Sequence, residues 1–488
     1  MEILVILVVV LYTTSLLFIF LYSITQVDLL FTYLFHKKKY RAAQQPLQHF
    51  VSLPIVTVQL PVFNEKYVVQ RLIDCVADLD YPTDKLEIQV LDDSTDETVQ
   101  IIADKVAQLK GIINIRHIRR ANRSGYKAGA LKEGLATAGG ELVAIFDADF
   151  LPAKNFLQKT VPHFMDAQVG MVQTKWAWIN KSYSMLTKVQ AFALDAHFSI
   201  EQVGRNINNG FINFNGTAGV WRKSCILDAG NWQADTLTED LDLSYRAQLK
   251  DWKFVYLEEV GSPSELPPVM SAVKTQQYRW NKGGAETARK HLWKVISAHK
   301  PLLVKWHAIM HLLTSGIFLS ALTCAICSVP ILLIKQFYPA FTHLFTLANY
   351  CFAGFLILGA TYLLTATIQN KNKWNGVWVF CQTMPAFLLL SLGLSLHNGI
   401  AVLEGYAGKR TPFVRTPKFN MTGQENTWFE NQYINNGTNR LTIAETLMML
   451  YFSGGVFLAF QLNDFTILPF HILLISGYGL VVYYSIKG

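Results

Sequence analysis

The amino-acid sequence predicts an α/β domain, a doubly wound and mostly parallel sheet, inserted between transmembrane α-helices. Three observations carry that expectation. The 488 residues are 51% hydrophobic and 13% aromatic but only 16% charged, and mean hydropathy is positive, a balance too apolar for an ordinary soluble enzyme. The apolar residues are unevenly spread, with one block at the start, a mixed stretch from about Leu47 to Lys300, and several long apolar runs after it. From Pro54 the mixed stretch alternates short β-branched runs with helical patterns, the order of a parallel sheet covered by helices on both faces.

In chain order, residues 3–25 are long enough to span a bilayer, and residues 1–30 form the first expected transmembrane helix. No Lys or Arg precedes this run, so it reads as a retained anchor rather than a cleaved leader. The cluster His36-Lys37-Lys38-Lys39-Tyr40-Arg41 follows at once. By the positive-inside rule that end faces the cytosol, together with the domain behind it, residues 45–300. Within the domain, strands are expected at 55–60, 86–91, 112–118 and 142–146, with helices starting near Lys66, Asp96, Tyr126 and Lys154.

Residues 301–488 hold five more apolar runs, at 306–334, 344–365, 377–403, 441–460 and 465–484. If all five crossed, the basic loop from Lys409-Arg410 through Arg415 and Lys418 would lie outside, and the Lys371/Lys373 loop or its partner would break the rule as well. One run is therefore expected not to cross. Gln382, Pro385, His397, Asn398 and Glu404 interrupt or border the third, and polar groups are costly in lipid. An interfacial or re-entrant helix pair over 376–404 leaves about four spans behind the domain and a cytosolic carboxyl terminus.

The net charge of +8 suits cytosolic loops facing anionic lipid, and nothing points to nucleic acid. Cys324, Cys327, Cys351 and Cys381 lie in apolar runs and Cys75 and Cys225 in the domain, as expected of reduced packing residues. The twelve histidines show no metal-type clustering, and there is no Walker A loop, G-x-G-x-x-G or G-x-S-x-G.

Polar residues cluster where the expected strands end: Asn64-Glu65, Asp92-Asp93, and Asp147 with Asp149. Open α/β sheets bind ligands at that edge. Asp147-Ala148-Asp149 suits a hard divalent cation that carries a diphosphate, although each acid alone equally suits a helix cap. Lys127 opens a helix beside Gly125, Ala128 and Gly129, a setting for a phosphate or for an ordinary surface lysine. Thr238-Glu239-Asp240 fits a capped first turn, and equally a carboxylate that takes a proton from a sugar hydroxyl. Gln276, Arg279 and Trp280 share a helical face. Such a face can clamp a diphosphate and stack a sugar ring, or simply approach a membrane.

Asp93, Asp147-Ala148-Asp149, Thr238-Glu239-Asp240 and Gln276-x-x-Arg279-Trp280, in that order between apolar segments, resemble the membrane-embedded processive family-2 glycosyltransferases: cellulose, hyaluronan and chitin synthases. Phe214-Asn215-Gly216-Thr217-Ala218-Gly219-Val220-Trp221-Arg222, Ser264-Glu265-Leu266-Pro267 and Gln276-Gln277-Tyr278-Arg279-Trp280 are most similar to plant cellulose-synthase-like A and C enzymes, which make mannan and xyloglucan-type glucan backbones. The resemblance implies a GT-A-like domain. It implies that Phe63, Glu65 and Asp93 hold the nucleoside, that Lys127 holds the diphosphate, and that Asp147 and Asp149 contact the diphosphate and a Mg2+ or Mn2+ ion. By the same resemblance Asp240 is the base with Glu239 beside it, Arg279 stabilises the leaving diphosphate, and Gln276, Trp280, Asn215, Gly216 and Thr217 line the acceptor site. Residues 413–418 are similar to a gating loop that closes over the nucleotide, which brings Thr416 and Lys418 to the substrate. No cyclic-dinucleotide-binding domain and no long plant-type insertions are evident, so control by that messenger is not expected.

The implied activity is an inverting, metal-dependent hexosyltransferase that polymerises a β-linked glucan or mannan from UDP-glucose or GDP-mannose and passes it across the membrane. A single transfer to a polyprenyl phosphate or ceramide is the alternative, and a catalytically silent scaffold is a third. The expected partners are the nucleotide-sugar, a glycan acceptor and the lipid bilayer. The expected location is a plasma membrane of bacterial type, or a Golgi membrane, with the catalytic domain in the cytosol.

Overall fold

A computed structural model describes residues 2–43, 50, 52–351, 353–370, 372–421, 433 and 440–487. The expected domain start at residue 45, and Lys371, lie outside these residues. Helix α1, Glu2–Ala43, has 42 residues and does not stop at residue 30. At 1.5 Å per residue it is about 63 Å long, roughly twice a bilayer core. No Gly or Pro interrupts its second half, which docks on the α/β domain. The Tyr33 hydroxyl donates to Glu258 Oε1 at 3.2 Å, the Tyr40 hydroxyl to the Tyr256 carbonyl at 3.1 Å, and Arg41 pairs with Glu258 at 2.7 Å. The basic cluster thus lies on the domain side of this helix.

The α/β domain runs β1 Val56–Val62, α2 Val69–Ala77, β2 Leu86–Asp92, α3 Thr98–Leu109, β3 Asn114–Arg119, α4 Tyr126–Thr137, β4 Leu142–Ile145, α5 Phe156–Thr160 and β5 Val169–Trp178. It continues with α6 Met185–Ala196, α7 Gln202–Ile207, β6 Gly219–Arg222, α8 Lys223–Asp228, α9 Glu239–Gln248, β7 Lys253–Ser264 and α10 Met270–Ser297. The strands form one sheet in the order β3-β2-β1-β4-β6-β5-β7. The pairs β1/β2, β2/β3, β1/β4 and β5/β7 are parallel, and β6 runs antiparallel to β4 and β5. The sheet is therefore mostly parallel and GT-A-like, and the first four strands and helices stand close to their expected places. Val58, Leu60, Ile88, Val90 and Phe146 fill one face and Val143, Ile145, Leu131 and Trp221 the other, all buried. Each large side chain so buried stabilises the fold by about 1.5–3 kcal/mol. Two covered faces leave one open edge, the carboxyl ends of β1, β2 and β4.

The rest of the chain is helical: α11 Leu302–Leu312, α12 Gly316–Phe337, α13 Thr342–Cys351, α14 Ala353–Gln369, α15 Lys373–Gly393, α16 Ser395–Ala407, α17 Arg440–Gln461 and α18 Leu468–Lys487. Among the described residues, α1, α12, α15, α17 and α18 are long and apolar enough to cross a membrane, while α14 is apolar but shorter. The chain is an integral membrane protein. The run expected not to cross is split at Leu394 into α15 and α16. Although α15 has the length of a span, Phe380 and Phe387 pack against Phe192 of α6, and Leu390 against Leu186, Val189, Met270 and Val273 of the domain. Its first turn lies against Thr367 near the end of α14, and its last against Gly477 and Val481 of α18. The polar groups of α16 meet α10 rather than lipid: His397 Nε2 is 2.8 Å from the Lys274 carbonyl, and Glu404 accepts from the Tyr278 hydroxyl.

Candidate active site

The open sheet edge forms the floor of a cavity. β1 delivers Phe63 and Glu65 to it, β2 delivers Asp93, and β4 delivers Asp147 and Asp149. Lys127 comes from the first turn of α4, Asn215 and Gly216 from the approach to β6, and Glu239 and Asp240 from the first turn of α9. Gln276, Arg279 and Trp280 of α10 close one side, and Thr416 and Lys418 lie across the mouth. Thr217 is the exception among the expected residues. It is fully buried below the cavity, and its Oγ1 accepts the Asp147 amide hydrogen at 2.9 Å, so it positions Asp147 and does not face a ligand.

Charge is organised in opposed pairs. Lys127 Nζ lies 2.5 Å from Asp147 Oδ1 and donates to the Gly216 carbonyl at 2.8 Å. Lys418 Nζ lies 2.8 Å from Asp149 Oδ1, and Arg415 Nη1 3.0 Å from Glu65 Oε2. Arg120 holds Asp93 with two bonds, Nε to Oδ1 at 2.8 Å and Nη2 to Oδ2 at 2.5 Å, which fixes that carboxylate at the rim. Arg279 Nη2 donates to Thr416 Oγ1 at 3.0 Å. Burial opposes the charge of Lys127, yet Asp147 and Glu239 outweigh it and hold the ammonium pKa above its usual value. For Lys418, Asp149 and Glu65 outweigh burial in the same way. Burial pushes Glu65 up to about 7, with Arg415 and Lys418 acting against it.

Asp240 is also pushed up to about 7, first by burial and then by the neighbouring Glu239, which burial raises as well. Its position depends on Gly216. That residue has φ +81°, and a Cβ there would stand 2.9 Å from Asp240 Oδ2 and 3.5 Å from Lys127 Nζ. Only glycine combines this backbone conformation with so close an approach. The Leu241 amide donates to Asp240 Oδ1 at 2.8 Å, and the positive end of α9 favours the ionised form. A carboxylate so raised is able to accept a proton near neutral pH.

Asp147 and Asp149 are hard oxygen donors one residue apart on one cavity wall, a set that suits a divalent cation such as Mg2+ or Mn2+. Among the described residues no group of three or more His, Cys, Asp and Glu forms a metal site. Among the described residues this wall supplies two carboxylates, so a diphosphate would have to supply further oxygens, and the cation and substrate would bind together. Lys127 and Lys418 face these acids and bring positive charge to the same cavity.

Several cavity residues escape sequence reasoning. Arg123 lies over the Phe63 ring, 3.4 Å from its centroid, Tyr126 stacks on Phe413 at 5.7 Å, and Arg279 stands 4.6 Å from the Phe413 centroid. Trp176 and Trp178 of β5 line the far wall. Their spacing of two is a legible signal, since alternate strand residues share a face. Glu265 accepts the amides of Phe419 and Met421, each at 3.1 Å, and pairs with Arg71 at 2.8 Å, which anchors the loop at 413–418 beyond the cavity.

Residues 54–283 match the family model described as glycosyltransferase like family 2. Glucomannan 4-beta-mannosyltransferase 1 of Oryza sativa subsp. japonica is 39% identical over 391 residues, 75% of this chain and 70% of the relative. Probable glucomannan 4-beta-mannosyltransferase 2 of the same organism is 37% identical over 381 residues, 74% of this chain and 61% of its own length. Glucomannan 4-beta-mannosyltransferase 2 of Arabidopsis thaliana is 44% identical over 256 residues, 51% of this chain and 48% of its own. These matches thus span between about half and 70% of the curated relatives. Among solved structures, a mannosyltransferase from Pyrobaculum calidifontis in complex with GDP-Man and Mn2+ is similar, with a TM-score of 0.50 and 20% identity, covering 80% of this chain and all of that one. At that identity the likeness bears on the fold, and it agrees with the mixed sheet described above. The order of the strand-end carboxylates and the identity to these relatives lead to one conclusion: the chain belongs to the family-2 glycosyltransferases, among relatives of the cellulose-synthase-like A type.

Proposed function

We propose that the chain is an inverting, metal-dependent hexosyltransferase that polymerises a β-1,4-linked mannan-type backbone from GDP-mannose. The observation that carries this reading is Asp240, a half-buried carboxylate near neutral pKa, set against Gly216 and beside the Lys127–Asp147 pair. The relatives named as glucomannan mannosyltransferases favour GDP-mannose over UDP-glucose as donor. The rim formed by Phe63, Arg123 and Asp93 receives the nucleoside, and Lys127 receives the diphosphate. When bound at Asp147 and Asp149, a Mg2+ or Mn2+ ion neutralises charge on the leaving diphosphate. Trp280 and Gln276 orient the acceptor so that Asp240 accepts the proton of its attacking hydroxyl. Arg279 and Lys127 draw off the charge that develops as the glycosidic bond to phosphate breaks. Attack from the face opposite the diphosphate inverts the anomeric centre.

The helices fit a chain that lies at the boundary between domain and membrane. The packing of α15 against α6 supports a reading in which α15 and α16 lie at the interface, the α/β domain is on the cytosolic side and the product leaves between the remaining helices. The test is to supply GDP-mannose, UDP-glucose and UDP-N-acetylglucosamine separately to membranes containing the protein. A 4-linked mannan from GDP-mannose alone, lost with EDTA and restored by Mg2+ or Mn2+, is expected. A product that extracts wholly into organic solvent, or no transfer from GDP-mannose, refutes the reading.

A further inference from the structure

The sheet order gives the cavity a direction. β2 and β1 carry Asp93, Phe63 and Glu65, β4 carries the Asp147 and Asp149 pair, and β6 and β5 lie beyond it. With strands about 4.8 Å apart, β5 stands about 10 Å past β4, on the side away from the nucleoside rim. Trp176 and Trp178 project from this end of β5 into the cavity, both half-buried. The wall behind them leads to the helical bundle. Phe198 packs on both rings, at 5.1 and 6.1 Å between centroids, and the adjacent Ser199 accepts a hydrogen bond from Gln369 at the end of α14 at 2.7 Å.

Two further features point to a ligand. Trp178 is fixed in place: its Nε1 donates to Asp195 Oδ1 at 2.9 Å, and Lys181 holds the other oxygen of that carboxylate at 2.8 Å. Trp176 Nε1 is inaccessible to solvent and has no acceptor among the described residues, although buried donors are almost always paired. The two indoles stand nearly perpendicular, 6.2 Å apart at 83°. Their half-exposed rings offer an apolar surface to the C–H side of a pyranose.

We propose that Trp176 and Trp178 form a second sugar platform, which holds the acceptor glycan one or more units behind the residue that Trp280 receives, and that they set the preference for long acceptors over short ones. Asp195 acts as a positioning residue that orients Trp178. The inference rests on the polymerase reading above, and the test separates the two.

The full-length protein is supplied with GDP-mannose and either β-1,4-mannobiose or β-1,4-mannohexaose. Trp178→Ala raises KM for the hexaose by about three- to tenfold, shifts KM for the biose less than twofold and shortens the products. Trp178→Phe, which keeps an aromatic face, restores most of the hexaose affinity, and Asp195→Asn shows the same split at about twofold. GDP binding by calorimetry stays near wild type in each variant, which certifies the fold. Should Trp178→Ala fail to bind GDP, Asp195→Asn and Trp176→Phe, which keeps an aromatic ring but removes the indole N–H and narrows the surface, decide the matter by the same split. Equal shifts for both acceptors, or none, refute the platform alone. Wild-type protein that transfers to neither acceptor refutes the polymerase reading and the platform together.

Discussion

Replacing Asp240 with Asn removes the charge and keeps the shape, and the side-chain oxygen still accepts the Leu241 amide. A positioned base typically contributes 10²–10⁴-fold, so transfer from GDP-mannose falls by at least about a hundredfold, on the order of 3–5 kcal/mol of transition-state stabilisation. GDP and metal binding change little, because Lys127, Asp147 and Asp149 are untouched. Since burial and Glu239 lift Asp240 to about 7, wild-type kcat/KM rises about tenfold per pH unit below that value and levels above it. The sign of the stability effect is opposite. A carboxyl raised in the folded state weakens folding once it must ionise, an effect absent below the ordinary carboxyl range and complete above about 7. Asp240→Asn therefore unfolds at the same temperature as wild type in acid and at a higher one at pH 8. Initial rates with labelled GDP-mannose from pH 4 to 9, calorimetry with GDP, and thermal unfolding at pH 3 and 8 test this. More than a tenth of wild-type transfer in the Asn variant, or a wild-type acid limb near pH 4, refutes the assignment of Asp240 as base.

Three more outcomes follow from the same geometry. Gly216→Ala places a Cβ 2.9 Å from Asp240 Oδ2 at φ +81°, so kcat drops about tenfold or more and stability falls by about 1–2 kcal/mol, read by kinetics and denaturant titration. Asp149→Ala removes one of the two carboxylates proposed to hold the cation, together with the oxygen that faces Lys418. Its GDP affinity should be the same with Mg2+ as with EDTA, whereas wild type binds GDP more tightly with Mg2+, and titration calorimetry distinguishes the two. Arg279→Lys keeps a positive charge but loses the planar fork that reaches Thr416. It lowers kcat about a hundredfold while KM for GDP-mannose changes little, and an equal loss through KM alone would contradict a role in stabilising the leaving group.

Much of the site was legible because its chemistry is carried by short motifs. Each acid in Asp147-Ala148-Asp149 and Thr238-Glu239-Asp240 follows a strand or opens a helix that local pattern already announces. The missed parts lack such a pattern. β6 has four residues, too few to show a period, and its antiparallel direction is imposed by its neighbours. Docking of Tyr33, Tyr40 and Arg41 on β7 accompanies the extension of α1 beyond residue 30, past the apolar run that marks its start in the sequence. α15 is apolar on nearly all sides, so its sequence describes a span and an interfacial helix equally well, and its packing beside Phe192, Leu186 and Val273 is a tertiary feature that no local pattern announces.

The sequence by itself determined the membrane anchoring, the parallel strands at the centre of the sheet, and the short motifs whose carboxylates, lysine and arginine line one cavity, because those depend on residue type and on spacing of one to four. Tertiary structure alone decided that Lys418 faces Asp149 and Arg415 faces Glu65, that Thr217 turns beneath Asp147, and that two tryptophans stand two strands beyond the metal pair. These relations join residues far apart in the chain, and they arise only when the sheet brings its strand ends to one edge.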